Sequence, residues 1–158
     1  MVFNSALASS ILGSALGFID TWIEQTKPRR LTGGLRAADD ALTQQRLADA
    51  MWHVDVTLSQ LRADMNELWQ MAMAREAASM EQRTRVRWNM VRGCNLVGDR
   101  VAELLRAASG RAIFLDHPLQ RRFQDLLGGL GHAMLVPDPV ARFVGGSILG
   151  ATKPEMML

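Results

Sequence analysis

The sequence predicts an all-α protein, an antiparallel four-helix bundle followed by a short fifth helix. Three observations lead to this fold class. No segment alternates apolar and polar residues as a half-buried strand would. A long central segment repeats apolar residues with heptad spacing, and prolines and glycines divide the rest into amphipathic stretches. The chain has 158 residues and is 48% hydrophobic, so we predict one domain over residues 1–158.

The first two helices are predicted from apolar periodicity and from the residues that interrupt it. The first runs from about Phe3 to Gln25, and its two apolar stripes predict burial on most sides. Pro28 and the Gly33-Gly34 pair break it. The second, from about Asp40 to Ala78, is predicted to be the longest. Its seam residues alternate spacings of four and three: Leu47, Met51, Val54, Leu58, Leu61, Met65 and Leu68.

Three further helices follow from proline and glycine positions. The third runs from about Glu81 to Ser109, with Gly110 as the predicted stop. The fourth runs from about Pro118 to Val136, Pro137 ends it, and a fifth reaches from Pro139 to about Leu149. The predicted buried face of the third helix consists of Val86, Met90, Cys94, Val97, Val101 and Leu104.

Composition argues against several classes of protein. Cys94 is the only cysteine, which rules out a disulfide framework and fits a reducing cytoplasm. No Glu-x-x-His pair occurs, so we expect no di-metal site. Arg83 and Arg85 lie about 200° apart on a helix and form no stripe for nucleic acid. The apolar start lacks a positive leader region, and no uninterrupted apolar run reaches about 18 residues, so we expect neither a signal peptide nor a membrane span.

The segment whose residues most suggest a functional site is 117–134, HPLQRRFQDLLGGLGHAM. Asp125, Gly128, Gly129 and His132 are spaced by 3, 1 and 3 and are predicted to share one helical face. Each interior glycine costs a helix about 1 kcal/mol relative to alanine. The glycines therefore serve either close helix packing, which the residues alone favour, or a flat slot beside the histidine.

Three segments, SGRAIFLDHPLQRRFQD, GLGHAM and VGGSILG, resemble the C-terminal helical domain of flavin-dependent monooxygenases with the acyl-CoA dehydrogenase fold. This group includes two-component aromatic hydroxylases and dibenzothiophene monooxygenases. The residues that match the family pattern are Pro118, Leu119, Gln120, Arg121, Phe123, Asp125, His132 and the pair Leu149-Gly150. The resemblance implies that reduced flavin, FAD or FMN, performs the oxygen chemistry, while the protein positions the flavin and excludes water.

The resemblance also implies roles for individual residues. His132 would be catalytic and would face the flavin ring and the substrate, because histidine exchanges protons near neutral pH. Arg29 or Arg30 would meet the flavin phosphates, and Gly128 and Gly129 would leave room for the ring. The other implied flavin contacts are Gly110, Arg111 and Ala112. The implied structural ion pair is made by Arg121, Arg122 and Asp125.

Two residues depart from the family pattern: Arg111 replaces a frequent Ser or Thr, and Gln124 replaces an Arg. We also expect this chain to lack the family's N-terminal helical domain and middle β-domain. The predicted function is therefore the C-terminal domain of a bacterial, cytoplasmic flavin-dependent monooxygenase, an oxidoreductase that binds little or no flavin alone. Its expected partners are the missing domains, a flavin reductase and further copies in a dimer or tetramer. The alternatives are an assembly module without flavin and a cofactor-free enzyme.

Overall fold

A computed structural model describes residues 2–151 of the chain, with side chains from residue 4, and these residues form five α-helices and no β-strand. The all-α prediction with a short fifth helix is confirmed, and the second helix is the longest at 33 residues. Residues 1 and 152–158 of the predicted domain lie outside the described residues. The helices are α1 Val2–Thr26, α2 Ala41–Met73, α3 Met80–Ala107, α4 Pro118–Leu130 and α5 Pro137–Ile148.

Side-chain caps fix where α2 and α3 begin. The Asp40 carboxylate accepts hydrogen bonds from the Thr43 amide and hydroxyl, both at 2.8 Å. These bonds stabilise the ionised form and hold the pKa of Asp40 below its ordinary value. Ser79 and Gln82 form a reciprocal capping box at the start of α3. Both starts lie within a residue of those predicted.

The C-terminal ends of α2 and α3 differ from the prediction. α2 ends at Met73 and not near Ala78, because Arg75 adopts a left-handed backbone conformation with φ of 59°. The Glu76 amide then donates to the Met71 carbonyl at 2.9 Å, which closes a Schellman turn.

Gly110 is not the stop of α3, contrary to the prediction. The helix ends at Ala107, and the extended conformation of Ala108 turns the chain away, with its amide donating to the Leu105 carbonyl at 3.0 Å. Gly110 begins a short 3₁₀ turn, Gly110–Ile113.

α3 lies at the centre of the bundle and packs against α1, α2, α4 and α5. All six residues of its predicted buried face are at most 2% exposed, so that prediction is confirmed. The seam of α2 packs onto the same core. The Trp22 indole of α1 is buried there and donates to the Leu104 carbonyl at 2.8 Å, which satisfies its only polar group.

By length and composition, the segment Asn4–Thr26 of α1 is apolar enough to cross a membrane. Central helices of helical bundles have the same composition. In this chain Phe18, Ile19 and Trp22 are completely or almost completely buried against the other helices, so α1 serves as a core helix.

Polar contacts supplement the packing of α2 on α3. Asp64 is only 1% exposed and accepts hydrogen bonds from Asn89 Nδ2 at 2.9 Å and Gln60 Nε2 at 3.0 Å. Glu67 accepts from Arg85 Nη2 at 2.7 Å, and this guanidinium holds the pKa of Glu67 below its ordinary value. The Asn89–Asp64 and Arg85–Glu67 bonds join α3 to α2 and so help to fix the angle between the two helices, whereas the Gln60–Asp64 bond lies within α2.

Candidate functional site

The start of α4 is fixed by its first residues. His117 is the N-cap, and its Nδ1 accepts a hydrogen bond from the Leu119 amide at 3.3 Å. Pro118 occupies the first turn, where its missing amide hydrogen is no loss. Leu119 and Leu126 are buried, so α4 is anchored along one face and exposes the other.

The C-terminal end of α4 corrects the predicted placement of His132. The helix ends at Leu130 and not at Val136, with Gly131 as its C-cap. His132 therefore lies beyond the helix, and the prediction that it shares a helical face with Asp125 is wrong. Its Nδ1 accepts a hydrogen bond from the Met134 amide at 3.2 Å and caps a short 3₁₀ turn. The imidazole is exposed at the edge of the bundle.

The glycines near His132 have different surroundings. A Cβ on Gly129 would collide with Cδ1 of Ile11, so α1 approaches α4 closely at this point. The interpretation of close packing, which the residues alone favoured, holds for Gly129. Gly128 has open space where a Cβ would lie. The described chain thus offers a bare, open surface at Gly128 beside the His132 turn.

The charged residues of α4 lie on its exposed face. Arg121, Arg122 and Asp125 are all exposed, and no ion pair joins them in the part of the chain that the structure describes. Arg122 instead lies across α1, where its Nη1 is 2.8 Å from the position that a Cβ on Gly17 would occupy. The absence of a side chain at Gly17 lets this guanidinium lie on the α1 backbone.

Arg29 lies at the other end of α4 and is partly buried. Its Nη1 donates to the Ala107 carbonyl at 3.0 Å, at the C-terminal end of α3. Its Nε is buried without a hydrogen-bond partner. A small cavity of about 50 Å³ adjoins it, lined by residues that include Thr26, Ser109 and Leu119. Arg30, in contrast, is exposed and donates to the Gly34 carbonyl at 2.8 Å within its own loop.

The 3₁₀ turn that holds Gly110, Arg111 and Ala112 lies beside the start of α4. Ala112 is 1% exposed and belongs to the core, whereas Gly110 and Arg111 are exposed. Sequence reasoning missed the next three residues, which form an exposed apolar tip: Ile113, Phe114 and Leu115. The signal available in the sequence was this run of three apolar residues between two predicted helices.

The predicted site residues therefore form two groups at opposite ends of α4. Arg29 and the Gly110–Ala112 turn lie near its start, and Gly128, Gly129 and His132 lie at its end. α4 has 13 residues, so the groups are separated by roughly 18 Å along its axis. A ligand that contacts both groups must span this distance.

The remaining reactive groups are of little catalytic use. Cys94 is buried in the core, and burial raises the pKa of its thiol to about 12, so almost no thiolate is present at neutral pH. Within residues 2–151, no three His, Cys, Asp or Glu side chains lie together in a way that could hold a metal ion. His132, in contrast, is exposed beside the open surface at Gly128.

The family model for the acyl-CoA dehydrogenase C-terminal domain matches residues 5–137. The chain belongs to this family. Its sequence is 26% identical over 159 residues to the flavin-dependent monooxygenase oxygenase subunit HsaA of Rhodococcus jostii (strain RHA1), covering 99% of this chain and 42% of that protein. It is 25% identical over 150 residues to a pigment production hydroxylase of Rhodococcus erythropolis, covering 95% of this chain and 38% of that protein. The resemblance inferred from the motifs is confirmed.

Solved structures of similar proteins have the same fold. The HsaA monooxygenase from M. tuberculosis matches with a TM-score of 0.82 and 24% identity, over 97% of this chain and 39% of that chain. XiaF from Streptomyces sp., solved with FADH2 and glycerol, matches with a TM-score of 0.87 and 22% identity, over 98% of this chain and 40% of that chain. This chain spans about two fifths of the length of these relatives.

Proposed function

We propose that this chain is the C-terminal helical domain of a flavin-dependent monooxygenase and forms part of its flavin and substrate pocket. Two observations together carry the proposal. The sequence is similar to a monooxygenase subunit along 99% of its length, and His132 is exposed next to the open surface at Gly128. A reaction of this class inserts one oxygen atom into an organic substrate and reduces the other to water.

The surface at the end of α4 fits one wall of a flavin site. A flat ring needs a surface without projecting side chains, and Gly128 supplies one. When bound, the reduced flavin, FAD or FMN, supplies the oxygen activation. The second wall and the exclusion of water must come from other domains, because this side of the bundle is exposed. An isolated chain should therefore hold flavin weakly or not at all.

Arg29 fits the phosphate end of the same cofactor better than Arg30 does. Its buried Nε has no acceptor in the described chain, and the small cavity beside it has room for a bound oxygen atom. A phosphate oxygen would satisfy this nitrogen with a charge-assisted hydrogen bond. Gly110 and Arg111, exposed beside the start of α4, would complete this end, whereas Ala112 is buried and would only support their turn.

His132 is the group that we assign to the reacting end. Its Nδ1 accepts the Met134 amide hydrogen, so the neutral imidazole carries its proton on Nε2. Nε2 is then a hydrogen-bond donor toward an oxygen atom of the substrate or of the activated cofactor.

The complete enzyme requires partners in this proposal. An N-terminal helical domain and a middle β-domain would close the pocket, and a flavin reductase would deliver the reduced cofactor, since the similar proteins are named oxygenase subunits. Contact with these domains would order the exposed Arg121, Arg122 and Asp125 into an ion pair. We place the enzyme in a bacterial cytoplasm, as a dimer or tetramer.

A second candidate is a helical assembly module without flavin chemistry. The observation that favours it is the position of Arg29, which already hydrogen-bonds the end of α3 and so has a structural role. Arg111 and Gln124 depart from the family pattern, and these departures also favour a module that has lost flavin chemistry. A cofactor-free enzyme with its own substrate is the third candidate, and no specific observation favours it.

Flavin binding tests whether this chain needs further domains to form a complete flavin pocket. The purified 158-residue chain should be colourless and should bind reduced flavin more weakly than micromolar. The same chain joined to the two preceding domains should bind it stoichiometrically, because the walls are then complete. A yellow isolated chain would contradict the expectation that the missing domains are needed.

Substitution of His132 tests the chemistry in the complete enzyme. His132→Ala should lower the product formed per oxygen consumed by roughly 10²-fold, the usual scale for loss of a positioned acid or base, and hydrogen peroxide should rise in step. His53→Ala on α2 is the matched control and should leave this ratio unchanged, since the His53 Nδ1 contacts only the Asp49 carbonyl of its own helix. Normal coupling in His132→Ala would remove His132 from the active site.

A further inference from the structure

One face of α3 supports the His132 turn, residues 132–135. Arg87, Asn95 and Gly98 lie on this face, at spacings of eight and three residues that keep them on one side of the helix. α3 packs both on the end of α4, which precedes His132, and on the 3₁₀ turn Ala133–Leu135, which His132 caps. His132 therefore lies on a short connection between two segments that are both in contact with α3.

Asn95 makes a polar link between α3 and the His132 turn. Its side chain is half-buried, and its Nδ2 donates to the Leu135 carbonyl at 2.9 Å and to the Val91 carbonyl at 2.8 Å. Two carbonyl oxygens beside one end of the side chain require the amide nitrogen there, because only the nitrogen carries two hydrogens to donate. The bond to Val91, one helical turn earlier on α3, fixes the amide, so its second hydrogen is held toward Leu135.

From Leu135 the hydrogen bonds continue to His132. The Leu135 amide donates to the His132 carbonyl at 2.8 Å, and the Met134 amide donates to the His132 Nδ1 at 3.2 Å. The Leu135 side chain is 1% exposed and anchors the turn in the core. Both the backbone and the imidazole of His132 are thus bonded to a turn whose last carbonyl is bonded to α3.

Packing contacts support the turn on either side of His132. A Cβ on Gly98 would collide with Cδ1 of Leu130, the last residue of α4, so this leucine lies directly on the α3 backbone. Arg87 is buried on the same face of α3, and its Nη2 is 3.9 Å from the Met134 Sδ. The chain is therefore held against α3 both two residues before His132 and two residues after it.

We propose that Asn95 is a positioning residue for the reaction: its amide holds the His132 turn so that the imidazole keeps one orientation beside the open surface at Gly128. Asn95 itself touches neither flavin nor substrate, and its role rests on the assignment of His132 to the reacting end. A misplacement of about 1 Å can lower a catalysed rate by roughly 10²-fold. The imidazole is exposed, so its position depends on the turn more than on packing around the ring.

Amide hydrogen exchange on the 158-residue chain tests the hydrogen-bond link without flavin. Asn95→Asp keeps the size of the side chain but sets an oxygen against two carbonyl oxygens, and Asn95→Ala removes the amide without adding a charge. In both variants the Leu135 and Met134 amides should exchange roughly 10-fold faster. Asn89→Ala is the matched control, because Asn89 is also a half-buried asparagine of α3 but donates to Asp64 on α2. It should leave both exchange rates unchanged.

Coupling in the complete enzyme tests whether the link serves the reaction. Asn95→Ala should lower the product formed per oxygen consumed by roughly 10-fold, less than the loss expected for His132→Ala. In the His132→Ala background the same substitution should change coupling by less than about twofold, because Asn95 acts through the imidazole. A merely structural role predicts equal effects in both backgrounds. Asn89→Ala should leave coupling unchanged, although it takes a donor from the buried Asp64 and so lowers stability.

The outcomes separate this inference from the flavin proposal. Leu135 and Met134 amides that exchange at the unmodified rate in both Asn95 variants would overturn the link. Unchanged coupling in Asn95→Ala, or a loss that is equally large without His132, would overturn the positioning role and leave the flavin proposal standing. Normal coupling in His132→Ala would overturn the assignment of His132 and, with it, the role of Asn95 in the reaction, whereas faster exchange in the Asn95 variants would still establish the link.

Discussion

The inner face of α3 and the C-terminal end of α4 are both built from small and apolar residues, but they differ in what surrounds them. The six residues predicted for the buried face of α3 are at most 2% exposed, and α3 contacts every other α-helix. The end of α4 is more exposed: Gly129 packs against Ile11 and Leu130 lies over Gly98 of α3, but Leu127, Gly128 and Gly131 are exposed. The first region holds the fold together, and the second leaves a polar group, His132, at the surface where a partner domain can use it.

The two regions should differ most in the free energy of unfolding that is lost when one leucine in each is truncated to alanine. Leu104→Ala removes a completely buried side chain of α3 and should lower the free energy of unfolding by about 2–5 kcal/mol. Leu127→Ala on α4, where the side chain is 49% exposed, should change it by only about 0.5 kcal/mol. Urea unfolding followed by circular dichroism measures both. Equal losses would mean that the end of α4 is as much part of the core as α3.

The glycines of α4 offer a finer comparison within the second region. Gly129→Ala should cost about 1–3 kcal/mol of overpacking against Ile11, offset in part by the better helix propensity of alanine. Gly128→Ala meets open space and should stabilise the chain by about 0.5–1 kcal/mol.

A compensating variant checks the cause. Ile11→Val removes the Cδ1 atom that a Cβ on Gly129 would meet, so it should recover most of the loss in the Gly129→Ala background. If Gly129→Ala is as well tolerated as Gly128→Ala without this change, then close packing is not the reason for Gly129.

The sequence predicts the first region better than the second for a physical reason. The spacing of apolar residues identifies the buried sides of α2 and α3, because residues three and four positions apart lie on the same face of a helix. The end of α4 depends on single contacts. Gly129 lies within the helix and packs against Ile11, whereas the helix ends at Leu130, with Gly131 as its C-cap and His132 capping the next turn. No periodicity distinguishes these two glycines.

The candidate site was less predictable than the fold. The resemblance identifies residues one by one, but it does not say that Arg29 and His132 lie at opposite ends of a 13-residue helix. The left-handed Arg75 and the buried Asp64 were also missed. Arginine is an unusual residue for a Schellman turn, and a buried carboxylate is recognised only when its donors, Asn89 and Gln60, are known to meet it.

His132→Ala should have only a small effect on the stability of the isolated chain. The imidazole is exposed and accepts a capping hydrogen bond from the Met134 amide, so the loss should be about 1 kcal/mol. His132→Asn retains a side-chain acceptor at the cap and should restore most of it. A loss of about 3 kcal/mol or more would mean that His132 packs like a core residue, as Leu104 does. Thermal and urea unfolding of the three proteins decide the point.

The smallest predicted effect contrasts how α2 and α4 end. Arg75 has a φ of 59°, a conformation that costs a residue with a Cβ about 1–2 kcal/mol, so Arg75→Gly should stabilise the chain by about 0.5–1 kcal/mol after the greater backbone entropy of glycine is included. Gly131 has a helical φ of −71°, and a Cβ there would lie 3.4 Å from the Leu127 carbonyl oxygen, so Gly131→Ala should be close to neutral. The two variants are compared by urea unfolding at the same pH. A destabilised Arg75→Gly would show that the Arg75 side chain itself holds the turn, whereas a large loss in Gly131→Ala would show that α4 ends where it does because of its glycine and not because His132 caps the next turn.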